Sequence, residues 1–349
     1  MKRCTRWLLL VLVAVTCLCL AFGYWRRPLY AHREGSLSSL LAFNDSVYYG
    51  TDFTREAGAL SLMTGRKLWE TKLSTDAIEI TTLFGAGEAV LCAGGSSIFC
   101  LQADSGVLRW TRELAGHLTA LPVLAGGSIF AATLNGVVYS LDAQTGDVKW
   151  MLELGSRVIA SPVPIGSQLL VGDLDGYVHV LDSVSGKDMS RIDVGFPIAF
   201  LGANQATVLA FSDELEHTRV VALEYPSLFT RWRATLPDTG GDGAQALLTE
   251  ERVFIASFSG QLNALDMGTG EVLWQQAFKT GLTHFTPMRL DDDRLLVQSG
   301  DTIHILRQNG DVVGSMSLPG KDVIRDLALH GDQLLVVSGN SIRVLRLPK

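Results

Sequence analysis

Seven histidines, five cysteines and 36 aspartate or glutamate side chains are the groups of this 349-residue chain that could bind a metal, attack a substrate or move a proton. Their spacing selects none of these chemistries. The histidines stand at 32, 117, 179, 217, 284, 304 and 330, without the His-x-His or His-Glu-x-x-His pattern that brings two imidazoles to one ion. His179 and His304 fall inside apolar, strand-like runs at equivalent points of two sequence units, which assigns them to the geometry of the fold. Asp291-Asp292-Asp293 lacks the alternating oxygens and terminal glutamate of a calcium loop and reads as a solvated turn before Arg294. Asp173 and Asp175 align with Thr133 and Asn135, or with Ser257 and Ser259, so turn chemistry accounts for them. No Gly-x-Ser-x-Gly elbow, phosphate loop or dinucleotide fingerprint is present. No catalytic residue, metal ligand or cofactor is expected.

The cysteines speak about compartment. Cys4, Cys17 and Cys19 lie in or beside an N-terminal apolar segment, leaving Cys92 and Cys100 for the folded part. That is neither a disulfide scaffold nor a zinc protein. Cys92 and Cys100 flank a hairpin predicted around Gly94-Gly95-Ser96-Ser97. An odd loop would face them toward each other, as a disulfide requires, whereas an even loop offsets them by one residue and sends them to opposite faces. Both readings stay open.

Residues 1–6 carry three positive charges, and the nineteen residues from Trp7 to Trp25 carry none, a pattern that engages the secretion machinery. As a cleavable signal, the segment offers Ala21-Phe22-Gly23 to a peptidase. As a helical anchor it would span ~28 Å, nearly the ~30 Å hydrocarbon core. Lipidation at Cys17 is a third option, for which Ala14-Val15-Thr16 is a poor recognition sequence. A retained anchor or lipid-type tether is preferred, and under each reading the rest of the chain lies outside the cytoplasm. The net charge of −7, with no Lys- and Arg-rich window interleaved with aromatics beyond residue 33, argues against nucleic-acid binding.

What positions these residues is a repeat of about forty residues. It reads Leu60-Ser-Leu-Met-Thr-Gly-Arg-Lys-Leu-Trp69, Leu101-Gln-Ala-Asp-Ser-Gly-Val-Leu-Arg-Trp110, Leu141-Asp-Ala-Gln-Thr-Gly-Asp-Val-Lys-Trp150 and Leu265-Asp-Met-Gly-Thr-Gly-Glu-Val-Leu-Trp274. A degenerate copy at 181–190 places Ser190 where tryptophan is expected, and another at 223–232 ends on Trp232 without a glycine. The marks at 69, 110, 150, 190, 232 and 274 recur every 40 to 42 residues. Each unit predicts four short strands; in the third these are 118–124, 128–133, 137–141 and 148–154. Asn135-Gly136 and Asp175-Gly176 are hairpin turns, because a two-residue type I′ loop needs positive φ twice. Asp142, Asp182 and Asp266 are assigned to accept turn N–H groups, and Gly65, Gly106, Gly146, Gly186 and Gly270 to supply positive φ after them. Trp69, Trp110, Trp150, Trp232 and Trp274 are assigned to fill the space between neighbouring sheets.

Four antiparallel strands per unit make a propeller blade, and blades bury both faces only by closing into a ring. Two further units follow Trp274, and the last stops after its third strand at Lys349. Its fourth strand is expected from residues 28–34. The predicted fold is therefore an all-β, eight-bladed propeller preceded by a signal or anchor helix, with seven blades as the alternative count. Residues 1–25 form the signal or anchor, 26–35 a linker or closing strand, and 36–349 the propeller.

The Leu-Asp-Ala-x-Thr-Gly-x-x-x-Trp unit resembles the repeat of the quinoprotein-type (PQQ-like) β-propeller family over nearly the whole chain after residue 35. A tethered single-domain ring of this size is most similar to the BamB-like members, scaffolds of the outer-membrane β-barrel assembly machinery. The resemblance implies a non-enzymatic role in the periplasm, in which the propeller binds the barrel-inserting subunit and helps present unfolded outer-membrane proteins. The Leu-x-Leu-Arg-Gly stretch with which those scaffolds contact their partner has no match here. The family's dehydrogenases are longer, hold the quinone over a tryptophan, bind Ca²⁺ and often carry a vicinal cysteine pair, whereas Cys92 and Cys100 are eight apart. A quinoprotein-type oxidoreductase and a membrane-tethered adaptor or sensor are the competing readings. The least repeat-like segments, 212–218 and 237–244, are polar insertions in adjacent units, where binding function would concentrate.

Overall fold

The computed structural model describes residues 28–32, 36–77, 80–118, 120–212, 214, 217–237, 245–257, 259–278, 287–318 and 323–347. The predicted N-terminal helix and Cys17 lie outside the described residues. Among the described residues there are eight four-stranded antiparallel sheets and no helix, in one ring of eight blades.

Blade 1 runs Leu37–Phe43, Ser46–Thr51, Glu56–Ser61 and Lys67–Lys72. Blades 2 and 3 occupy 81–113 and 123–153; blades 6 and 7 occupy 245–277 and 288–317. Blade 4 consists of Val163–Ile165, Gln168–Gly172, Tyr177–Asp182 and Asp188–Asp193. Blade 5 consists of Phe200–Ala203, Thr207–Phe211, His217–Glu224 and Thr230–Pro237. Blade 8 takes Ile324–His330, Gln333–Ser338 and Ser341–Arg346 from the C-terminus and its fourth strand, Tyr30–Ala31, from the N-terminus. The closing pair is antiparallel, with Tyr30 opposite Ile342 and Ala31 opposite Ser341.

First strands of neighbouring blades touch one another, so they line the centre and the fourth strands form the circumference. Second and third strands lie between two sheets. They are buried on both faces, as in Leu295, Leu296 and Val297, and therefore read as continuous apolar runs. Fourth strands are half-exposed: in Lys67–Lys72 only Trp69 is fully inward. In each of blades 1 to 7 the third-to-fourth register slips by one residue just before the repeat leucine (Leu60, Leu101, Leu141, Leu181, Leu223, Leu265 or Leu306). The bulge sends that leucine inward, and all seven are fully buried.

The other predicted strands of blade 3 end within a residue of expectation and the closing strand is confined to Tyr30–Ala31, but one strand differs more. The first strand of blade 3 is only Val123–Ala125, because Pro122 has no N–H to give to a ladder, while Leu118 makes an isolated bridge to Thr133. The up-and-down connectivity produces two unlike rims. The repeat rim carries the first-to-second and third-to-fourth turns, including every Thr/Ser-Gly turn. The connector rim carries the second-to-third turns and the links between blades.

Candidate functional site

The repeat tryptophans and glycines meet across blade boundaries. A Cβ on Gly106 would stand 2.4 Å from the Trp69 ring, on Gly146 2.5 Å from Trp110, on Gly186 2.5 Å from Trp150, on Gly270 2.5 Å from Trp232 and on Gly310 3.0 Å from Trp274. Each glycine sits at positive φ, between +68° and +96°, so it serves both as turn residue and as the flat surface on which the preceding indole lies. Four of the indoles donate to a carbonyl of the next blade: Trp69 to Ala103 at 2.8 Å, Trp150 to Ser183 at 3.1 Å, Trp232 to Met267 at 2.9 Å and Trp274 to Gln308 at 3.0 Å. The Trp110 Nε1 is buried without such a partner.

The two degenerate repeats answer each other. Blade 4 offers Ser190 in place of an indole, and blade 5 offers no glycine but Leu228, held at φ +56° by an N–H bond to the Glu224 carbonyl. Leu228 is buried in the cluster that contains Val178 and Val180 of blade 4, and the Tyr225 hydroxyl reaches Gln168 Oε1 at 3.0 Å. A side chain of blade 5 thus packs into blade 4 at the joint that lacks an indole. Gly65, with no blade-8 indole to receive, lies instead under the Leu29 carbonyl, 2.1 Å from where its Cβ would be.

The turn aspartates accept in the same way from blade to blade. Asp142 Oδ1 takes the N–H groups of Gln144 and Thr145, Asp182 Oδ1 that of Ser185, and Asp266 Oδ1 those of Gly268 and Thr269. These bonds, chiefly from backbone N–H groups to Asp142 and Asp266 and from the Ser185 hydroxyl to Asp182, hold all three carboxyls below the ordinary aspartate range. Asp291 caps Asp293 and Arg294 at 3.0 and 2.7 Å.

The disulfide does not form. The loop between the cysteines is even, with Gly94 opposite Ser97, so Cys92 pairs with Phe99 and Cys100 with Leu91. Neighbouring positions of opposite strands send their side chains to opposite faces, and the thiols are free and buried in two different inter-blade cores. Burial pushes the Cys92 thiol up to about 12.

The second-to-third turn of blade 5 and the link from blade 5 to blade 6 leave from strand ends on the connector rim; of the two insertions predicted there, residues 213, 215–216 and 238–244 lie outside the described residues. Beside those strand ends a groove of about 370 Å³ runs along Asp193, Gly195, Phe196, Arg219, Arg233 and Thr235. Arg219 is fixed there by Glu214 Oε1 at 3.0 Å, by the Gly195 carbonyl at 3.2 Å and by the Phe196 ring, 5.1 Å below its guanidinium. Arg233 donates to the Val194 carbonyl at 2.6 Å. A second groove of about 450 Å³ opens on the same rim between Asp76, Gly95, His117 and Leu121. Two large apolar side chains stand out nearby, Phe53 with 73% and Leu121 with 57% of its surface exposed. Exposed apolar side chains beside a groove lined by two arginines suit a polypeptide surface.

Two buried polar groupings escaped the sequence reading. His179 Nε2 lies 3.0 Å from Asp173 Oδ2, both side chains 2% exposed. Burial would raise the Asp173 carboxyl, but the bonds from His179 and the Tyr177 N–H outweigh it and keep it low. At the closing joint, His32 Nε2 lies 3.2 Å from Glu70 Oε2 and 3.5 Å from Glu56 Oε2. Tyr49 donates to Glu70 Oε2 at 2.6 Å, and Lys67 to Glu70 Oε1 at 2.8 Å. Burial acts to raise Glu70, yet the Lys67 and Tyr49 bonds prevail and hold it below its usual range, while burial raises Tyr49 far enough to keep it a neutral donor. No spacing rule could find this cluster, since residues 32, 56 and 70 meet only when the ring closes.

The family model described as outer membrane protein assembly factor BamB matches residues 28–213 and 216–342. Among solved structures, BamB from Moraxella catarrhalis superposes with a TM-score of 0.70 at 20% identity, over 91% of this chain and 96% of its own. Sqt1 of Saccharomyces cerevisiae reaches 0.75 at 10% identity over 92% and 98%, and the computationally designed Ika8 protein 0.76 at 13% identity over 92% and 98%. These three share the fold. No curated protein matches the chain. On the family match, which spans nearly all of the ring, the chain belongs to the BamB family of PQQ-like β-propeller proteins.

Proposed function

We propose that the protein is a non-catalytic, BamB-type binding scaffold that works outside the cytoplasm in outer-membrane β-barrel assembly or envelope biogenesis, tethered to a membrane through its N-terminal segment. The observation that carries this reading is the family match over residues 28–213 and 216–342. The geometry supports it in two ways. The repeat tryptophans lie on glycines of the next blade, a packing role that accounts for them without a cofactor. The strand ends that flank the segments exceeding the repeat lie on one rim, beside a groove that holds Arg219 and Arg233. A rigid ring that varies on one rim is built to present a surface.

The test is a C-terminally tagged copy recovered from gently solubilised membranes, with mass spectrometry of what accompanies it and of its own N-terminal peptide. The barrel-inserting subunit is expected, and Arg219→Glu with Arg233→Glu should reduce its recovery at least tenfold while leaving the fold intact. Recovery of inner-membrane partners alone, on an intact Met1 anchor, would replace this reading with that of a tethered adaptor.

A further inference from the structure

We propose that His32, Glu56 and Glu70 form a binding site for one divalent transition-metal ion of the zinc class, which fastens the closing strand of blade 8 to blade 1. The donors come from three separate segments: His32 directly after Tyr30–Ala31, Glu56 at the start of the third strand of blade 1, and Glu70 in its fourth. One ligand atom of each lies within 4.8 Å of the other two.

The distances suit a metal. A tetrahedral ion with bonds of ~2.0–2.1 Å has ligand-to-ligand edges of roughly 3.3 Å. The two edges from His32 Nε2 are 3.2 Å to Glu70 and 3.5 Å to Glu56. One imidazole with two carboxylates is a donor set that borderline ions such as Zn²⁺ accept and that Mg²⁺ and Ca²⁺, which prefer oxygen alone, do not favour.

Without a cation the cluster has a donor deficit. His32 is 5% exposed, and its Nδ1 has no hydrogen-bond partner. His32 Nδ1 stays unpartnered in every state of the ring, so the deficit to be met lies at Nε2, where a single nitrogen faces two carboxylates. A neutral ring can donate from Nε2 to only one of the two carboxylates that approach it. A dication bound by the Nε2 lone pair answers both carboxylates at once.

The surroundings leave the inner oxygens for such an ion. Lys67 engages Glu70 through Oε1, the oxygen turned away from His32, while Tyr49 orients Oε2. The His32 backbone is pinned on both sides, its N–H to the Asn340 carbonyl at 2.7 Å and its carbonyl by Asn340 Nδ2 at 3.0 Å. Outer hydrogen bonds of this sort fix first ligands in metal centres. Glu56 and Glu70 keep 23% and 21% of their side-chain surface exposed, which gives the ion and a completing water a way in.

The test uses the full chain in mild detergent, stripped with a chelator and titrated with Zn²⁺ by calorimetry and metal analysis. One equivalent is expected, with a rise in the melting temperature. Glu56→Gln and Glu70→Gln, which preserve shape, should each lower the affinity at least tenfold and remove the rise, at unchanged circular dichroism. Co²⁺ added to the unmodified chain should give the visible absorption of a low-coordinate site, a readout that needs no variant. Uptake below one equivalent at saturating Zn²⁺ overturns the proposal. So does uptake that survives in both variants, which would locate the ion elsewhere, for instance at the exposed His217 and Glu214 pair.

Discussion

The joint between blades 3 and 4 and the joint between blades 8 and 1 face the same mechanical demand and meet it with different chemistry. At the first, Trp150 lies on Gly186 and donates to Ser183, in a core of Phe130, Val138, Val171 and Leu181. At the second, an apolar core of Leu37, Tyr49, Leu60, Leu335 and Ile342 is overlaid with ions. There Asp326 accepts from the Leu40 N–H at 2.7 Å, Arg325 pairs with Asp52, and Glu70 gathers Tyr49, Lys67 and His32. A joint that forms within a continuous chain can rely on area and shape. The joint that brings distant ends together adds charge and hydrogen bonds, which specify one register.

The largest effect should come from removing an indole. Trp150→Ala is expected to cost about 3–5 kcal/mol in chemical denaturation. Gly186→Val, which drives a branched side chain at positive φ into the same ring, should approach that loss. A cost below about 1 kcal/mol for either would mean that these joints are not set by shape.

Next in size is the compensated joint. Ser190→Trp alone should destabilise by about 1–3 kcal/mol, because Leu228 already packs at this joint. Adding Leu228→Gly should return most of it, a coupling that a double-mutant cycle reads directly. Additive effects would sink the idea that the two degenerate repeats complement each other.

Glu70→Gln should cost about 1–3 kcal/mol by leaving buried donors with a weaker acceptor. It should also change the pH profile. Glu70 and Asp173 are held below their ordinary values in the folded chain, so the stability they confer is full above the unfolded carboxyl pKa. It is lost as the pH falls through the depressed folded values. Glu70→Gln should flatten that acid slope, whereas Trp150→Ala should lower the curve in parallel. The smallest effect concerns Cys92: with its thiol pushed up to about 12 and fully buried, alkylation should await unfolding, and reductant should leave stability unchanged.

The ring was legible because its period is written in residues that cannot be exchanged freely: Thr/Ser-Gly turns, the buried leucine before them and the tryptophan four positions on. The eight blades and the closing strand follow from counting those marks. Five things were not legible. The partner of each tryptophan is the glycine of the following repeat, which a single unit does not reveal. Leu228 reads as divergence until Ser190 is seen across the boundary. Cys92 and Cys100 were decided by whether the loop between them held an odd or even number of residues, which strand ends alone could not fix. The His32 cluster and the Arg219 groove are products of closure and of insertion, the two places where the repeat stops predicting its neighbours.

The two-residue strand Tyr30–Ala31 also sets a schedule. Its partners, Ile342 and Ser341, lie more than three hundred residues further along the chain. During synthesis the earliest part of the ring must wait, unpaired, for the latest, and the face of blade 1 that packs on blade 8 stays uncovered until then. Contacts of such long range are slow to form and leave a strand edge free for other chains meanwhile. The seam is therefore where a newly made copy is most exposed to mispairing, and where a holding factor would do the most good.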